Sequence, residues 1–210
     1  METSELIKRL SVSVKPVQRL EAPLLRFARW VAVAIFSLGT GIFLFGVRED
    51  VPQSLMRMGF SAQAFALMLL ALLSALSAFL LSVPDRKLIV VSLIPPATLG
   101  FWLLAIMYSI FTSGHLSGGL GLTCVRDIIA LALLPGAFLF FMLKQAAPLE
   151  PSRVGVFSML SVAGLGALAT QFICRNDDPL HILLWHFLPV AVLGCVGVLI
   201  GGSILRWNRR

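Results

Sequence analysis

Charge is what this sequence has least of. Only 13% of its 210 residues are Asp, Glu, Lys or Arg, about half the share of a soluble globular domain, so most of the chain is not built to meet water. Acidic residues are the scarcer sign, ten against 17 basic ones. The long apolar runs hold almost no ionisable group, which argues against a proton-coupled transporter or ion pump, because those place Asp, Glu, His or Lys inside the membrane. There are three cysteines and three histidines. No two cysteines stand in a Cys-x-x-Cys spacing, which removes the usual thiol oxidoreductase arrangement. No nucleophile stands beside a base in a recognisable motif, so the chain reads as a non-enzyme with no cofactor. Nucleic-acid recognition motifs are also missing, and the basic residues are dispersed over short segments, so no direct nucleic-acid binding is expected.

What is present is hydrophobic length. Apolar residues make up 58% of the chain and the mean hydropathy is +0.94. A helix crosses the roughly 30 Å hydrocarbon core with about 20 residues, each rising about 1.5 Å. Six segments meet that length, at about 27–46, 60–83, 88–111, 125–143, 154–173 and 181–205. The expected fold is therefore all-α, a membrane bundle of six transmembrane helices over 27–205, with a tail at 1–26 and a basic end at 206–210. No loop is long enough to fold as a separate domain. The first span, preceded by a long basic region, is expected to stay as an anchor and not to be cleaved.

Orientation follows from Lys and Arg counts. With the N-terminus inside, thirteen fall on the cytoplasmic side (Lys8, Arg9, Lys15, Arg19, Arg26, Arg29, Arg86, Lys87, Lys144, Arg153, Arg206, Arg209 and Arg210) and four outside (Arg48, Arg57, Arg126 and Arg175). Both termini are expected in the cytoplasm, and the excess positive charge suits anionic lipid head groups. Pro84-Asp85 and Pro148-Leu149-Glu150-Pro151 mark inner turns, and the Gly-rich stretch 114–121 an outer loop. Asp178 before Pro179 reads as an N-cap opening the sixth span. Trp30, Trp185 and Trp207 fall near span ends, as an aromatic belt requires. In the tail, Leu6, Leu10, Val14 and Val17 form an apolar stripe that Pro16 ends early. That stripe either lies on the inner leaflet or is offered to a cytoplasmic protein.

Given this topology, His115, Cys124, Arg126, Asp127, Cys174, Asp177, Asp178, His181 and His186 gather at the outer face, every histidine of the chain among them. Cys124 begins the fourth span and Cys174 follows the fifth, so a helical hairpin brings both to one depth. Two outcomes stay open. A disulfide would persist in an oxidising compartment, but helix axes lie about 8–10 Å apart and the bond needs Cα atoms within about 7 Å. Otherwise they are two buried, unlinked thiols, with Arg126 or Arg175 near enough to favour thiolate. Cys195, midway along the sixth span, reads as a small packing residue. His181 and His186 stand about 140° apart on an α-helix, so they are not expected to share a metal as an i, i+4 pair does. A metal site would need His115, Cys124 or Cys174 from other helices; the alternative is hydrogen bonding at head-group level.

Cys124 with Pro135 eleven residues on, then Lys144-Gln145-Ala146-Ala147-Pro148-Leu149-Glu150-Pro151-Ser152-Arg153-Val154-Gly155, then Cys174 and the cluster His181, Trp185, His186, resembles the negative-regulator-of-sigma-F family of bacterial membrane anti-sigma factors. The likeness covers the six-helix plan and nearly the whole chain. It implies a protein of the bacterial inner membrane that sequesters an extracytoplasmic-function sigma factor and releases it on oxidative or metal stress. It also implies that Cys124 and Cys174 are the signal-sensing pair, as a disulfide or a soft-metal pair, with His115, Arg126, Asp127, Asp178, His181, Trp185 and His186 around them. Partner contact is expected from Leu6, Leu10 and Val14 of the tail and from the turn carrying Lys144 and Arg153. The tail has no Cys or His, so it is not a zinc-type anti-sigma domain. The competing reading is a membrane redox or metal-handling protein acting at its outer face, and a third is a membrane subunit of a larger complex.

Overall fold

The computed structural model describes residues 3–12, 20–83, 89–114 and 116–206. Among these the regular structure is helical throughout. A tail helix, α1 (Thr3–Val12), is followed by α2 (Pro23–Phe45), a short α3 (Val51–Met56), α4 (Met58–Leu81), α5 (Ile89–Ser113), α6 (Leu122–Lys144), α7 (Pro151–Gln171) and α8 (Pro179–Ile204). Within α8, Leu183–Phe187 is a π-helical turn. The six helices other than α1 and α3 are long and apolar enough to cross a membrane. They match the six expected spans to within a few residues.

Three spans open on a proline: Pro23, Pro151 and Pro179. Proline fits the first helical turn because its φ is already helical and the N–H it lacks has no intrahelical acceptor there. This moves the starts of α2 and α7 three to four residues ahead of the expected 27 and 154. The short α3 was not expected; it is opened by Pro52 after the Asp50 turn.

Helix α7 is the centre of the bundle. Of its most apolar stretch 78% is buried, against 22–50% in the other spans. Its sequence explains this, since Gly155, Ser158, Ser161, Gly164 and Gly166 give it a slim surface that lets neighbouring backbones approach. A Cβ on Gly155 would meet the Gly197 carbonyl and lie 2.5 Å from the Cα of Gly201, so α7 and α8 touch backbone to backbone. On another face Ser161 donates a hydrogen bond to the Ala71 carbonyl of α4 at 2.7 Å. At its end Gln171 Nε2 donates to the Phe60 carbonyl at 3.2 Å.

The helices alternate in direction. One end of the bundle holds the 46–57 segment, the loop between α5 and α6, and the stretch from Phe172 to Asp178. The other holds the starts of α2 and α7 and the ends of α6 and α8. Two expectations are corrected here. Trp30 is fully buried, its ring N–H donating to the Pro135 carbonyl at 3.1 Å, so it ties α2 to α6 and is no belt residue. Cys195 is exposed on the flank of α8, because the packed face of that helix is taken by Gly194, Gly197 and Gly201. Val14, Pro16 and Val17 of the tail, the Pro84-Asp85 turn, His115 and Trp207 lie outside the described residues.

Candidate functional site

Cys124 and Cys174 meet at the end of the bundle where α6 begins, α7 ends and α8 begins. Their sulfurs are 3.3 Å apart and unbonded. Cys124 is buried and Cys174 half-buried. His181 Nε2 lies 3.6 Å from each sulfur, and its Nδ1 is 3.0 Å from the Gly119 carbonyl. That carbonyl can only accept, so Nδ1 carries a hydrogen and the ring is held with Nε2 toward the two sulfurs. His181 and His186 are both 2% exposed, with ring centroids 5.7 Å apart.

The two histidines converge although they are five residues apart, which corrects the α-helical expectation. The π turn at Leu183–Phe187 follows His181 and contains His186. Its i→i+5 hydrogen bonds bring residues five apart round to one side. One donor atom from each of Cys124, Cys174, His181 and His186 falls within 4.8 Å of the others. Both ring nitrogens of His186 are buried with no hydrogen-bond partner, an arrangement that costs about 1–3 kcal/mol per group left unsatisfied.

The loop before α6 is folded onto this cluster. Asp178 caps α8 as expected, Oδ1 accepting from the amides of Leu180 at 2.9 Å and His181 at 3.3 Å. Its Oδ2 accepts from the amide and hydroxyl of Ser117, at 2.7 and 3.0 Å. Burial alone would raise the Asp178 carboxyl, but the hydrogen bonds from Ser117, His181 and Leu180 prevail and hold it below its ordinary value. Gly121 is in contact with the His181 and Trp185 rings, where a Cβ would overlap both. Trp185 is half-buried with its ring N–H unpartnered, and it serves as a wall of the site.

The Cys174 thiol is held well below its ordinary range, first by the Cys124 thiol donating to it and then by the His186 ring, which approaches without reaching hydrogen-bond geometry; burial opposes both. Neither Arg126 nor Arg175, the arginines expected to favour thiolate, is among the groups that lower it, and Arg175 is exposed. Arg126 is exposed, and its guanidinium pairs with the neighbouring carboxylate of Asp127 at 2.8 Å.

Sequence reasoning missed Arg48. Its side chain is 2% exposed and donates to Asp50 at 2.6 and 2.7 Å, to Asp177 at 2.5 and 2.8 Å and to the Cys174 carbonyl at 2.9 Å. Arg57 adds a 2.6 Å bond to Asp177. The guanidinium thus fixes the backbone of Cys174 to the end of α2. The available signal was an Arg and an Asp two residues apart between apolar runs, on the side that also carries Asp177.

A family model described as negative regulator of sigma F matches residues 10–207. The chain belongs to that family. The family's name marks its members as negative regulators of a sigma factor, and a regulatory family points away from catalysis. No curated protein and no solved structure matches the chain. In this family member, the residues expected to meet the partner lie away from the thiols. Lys144 ends α6 and is exposed. Arg153, in the first turn of α7, pairs with Glu150 at 2.7 Å. Leu6 and Leu10 are 42% and 59% exposed on α1. Beside the end of α6, Glu21, Arg26, Arg29, Phe138, Met142 and Gln145 help line a cleft of about 670 Å³.

Proposed function

We propose that this protein is a multi-pass anti-sigma factor of the bacterial inner membrane that sequesters an extracytoplasmic-function sigma factor and releases it when Cys124 and Cys174 sense oxidative or metal stress at the outer face. The observation that carries the sensing part is the pair of unbonded sulfurs 3.3 Å apart. The thirteen-to-four distribution of Lys and Arg supports an outer location for them. Oxidation takes two electrons and two protons from the thiols. With hydrogen peroxide as oxidant, the products are one disulfide and two waters. Bond formation brings the sulfurs from 3.3 Å to about 2.05 Å, a closure of about 1.2 Å.

That closure draws the outer ends of α6 and α7 together. The two helices stay in contact further along, where Gly136 faces Val162. A stiff helix pivoting there passes a displacement of about 1 Å or less to the inner turn bearing Lys144 and Arg153, and packed interfaces convert shifts of that size into discrete rearrangements.

Co-purification tests the reading. The full chain, extracted from membranes with a mild detergent, should carry a sigma factor that is lost on treatment with peroxide. Extraction of the folded chain with bound metal and no sigma factor would favour the competing metal-handling reading and overturn this one.

A further inference from the structure

We infer that Cys124, Cys174, His181 and His186 form a four-coordinate site for a borderline-soft divalent cation of the Zn²⁺ type. The inference deepens the sensing reading by naming what the thiols hold before oxidation, and binding itself can be tested without any sigma factor.

The distances fit. A tetrahedral centre with metal–sulfur bonds of about 2.3 Å and metal–nitrogen bonds of about 2.0–2.1 Å has sulfur–nitrogen edges of about 3.6 Å and a sulfur–sulfur edge of about 3.8 Å. Both sulfurs lie 3.6 Å from His181 Nε2. The sulfurs themselves, at 3.3 Å, need to open by about 0.5 Å for the metal, against a closure of about 1.2 Å for a disulfide. The pair is nearer to coordination than to bonding.

The surroundings fit as well. A ligating histidine usually donates its other ring N–H to a carbonyl or carboxylate, which fixes the ring. His181 does this to Gly119 at 3.0 Å. His186 is 2% exposed with both nitrogens unpartnered, and it stands beside the sulfurs on the turn that gives α8 its π geometry. A turn of that kind carries a conformational penalty and recurs at functional positions; here its effect is to bring the fourth donor into reach. With metal bound, the unit of one dication, two thiolates and two neutral imidazoles has no net charge. That suits a buried pocket, where an unbalanced charge is disfavoured.

Metal and disulfide exclude one another, because each needs the same sulfur electron pairs. Peroxide oxidation of the loaded site therefore yields the disulfide and ejects the cation, peroxide taking the two electrons and, with two protons from solvent, leaving as two waters.

The test uses the full chain in detergent and the metals alone. Zn²⁺ should bind at one per chain by elemental analysis and protect both thiols from a maleimide. Co²⁺ should give the intense visible bands of a tetrahedral site with a thiolate charge-transfer band. His181→Gln and His186→Gln should each weaken Co²⁺ binding at least tenfold, Cys124→Ser or Cys174→Ser should remove the charge-transfer band, and Cys195→Ser should change nothing. A weak six-coordinate Co²⁺ spectrum, or wild-type affinity in both histidine variants, would overturn the site. If no metal binds while peroxide still forms the disulfide and frees the sigma factor, the site falls and the sensing reading stands. Metal binding with no sigma response to oxidant would leave the site standing and remove the sensing reading.

Discussion

Replacing Arg48 should slow closure of the cysteine pair without touching either cysteine. Its guanidinium makes five hydrogen bonds, four to the carboxylates of Asp50 and Asp177 and one to the Cys174 carbonyl. Hydrogen bonds to charged groups contribute about 1.5–3 kcal/mol each, but the loss on Arg48→Leu is smaller than their sum. Asp50 is half-exposed and rehydrates, and Asp177 keeps Arg57. The Cys174 carbonyl has no such substitute. A net loss of about 3 kcal/mol is reasonable, and each 1.4 kcal/mol is tenfold in an equilibrium, so the ratio of held to released loop falls by about a hundredfold. Disulfide formation under limiting oxidant should slow at least tenfold. Arg48→Lys keeps the charge but not the planar fork that grips two carboxylates, and should fall between. Arg57→Ala removes an exposed pair worth about 1 kcal/mol or less and should slow the reaction under about fivefold. Membranes treated with oxidant for set times, quenched with a maleimide-polymer and read by gel shift give the rates. If Arg48→Leu inserts normally and oxidises at the wild-type rate, Arg48 does not position Cys174.

Three further outcomes can be checked. Gly155→Val should destabilise the bundle by about 1–3 kcal/mol through overpacking, because the added carbons meet the backbone of Gly197 and Gly201; an unchanged melting temperature in detergent would contradict the close α7–α8 contact. Asp178→Ala should cost about 1 kcal/mol in lost capping and free the Ser117 loop. Since the folded carboxyl sits below its ordinary value, its stabilisation is complete above about pH 4, the unfolded value, and fades as pH falls through the lower folded one; hydrogen exchange around Leu180 and His181 should rise in that acid window for wild type and stay flat for Asp178→Asn. Deleting the residues before Pro16 should weaken sigma-factor retention in a pull-down while insertion stays intact, and full retention would reduce the tail to a surface anchor.

The six spans were legible because their apolar runs are long and nearly free of charge, which is a compositional signal and needs no knowledge of packing. The order of packing was harder. Helices such as α4 and α8 are apolar on every side, so periodicity names no inward face; only the small residues of α7 hinted that it lies at the centre. Trp30 was misread for the same reason, since nearness to a span end suggests a belt position and says nothing of the Pro135 carbonyl that its ring reaches. At the site, opposite helix directions were enough to bring Cys124 to Cys174, and the Asp178-Pro179 pair announced its cap. The convergence of His181 and His186 was not legible, because five-residue spacing separates side chains on an α-helix and no sequence pattern announced the π turn. Arg48 escaped notice because its partners lie two and more than a hundred residues away, and only the fold joins them.

The central claim is that Cys124 and Cys174 control release of the sigma factor, and transcription from a sigma-dependent promoter with and without peroxide measures it most directly. The account predicts strong induction for the wild type and for Cys195→Ser, whose side chain lies on the exposed flank of α8. Cys124→Ser, Cys174→Ser and the double variant should keep the promoter silent under both conditions, since the sigma factor stays bound and the signal has nothing to act on. Normal induction in the double variant would contradict the account.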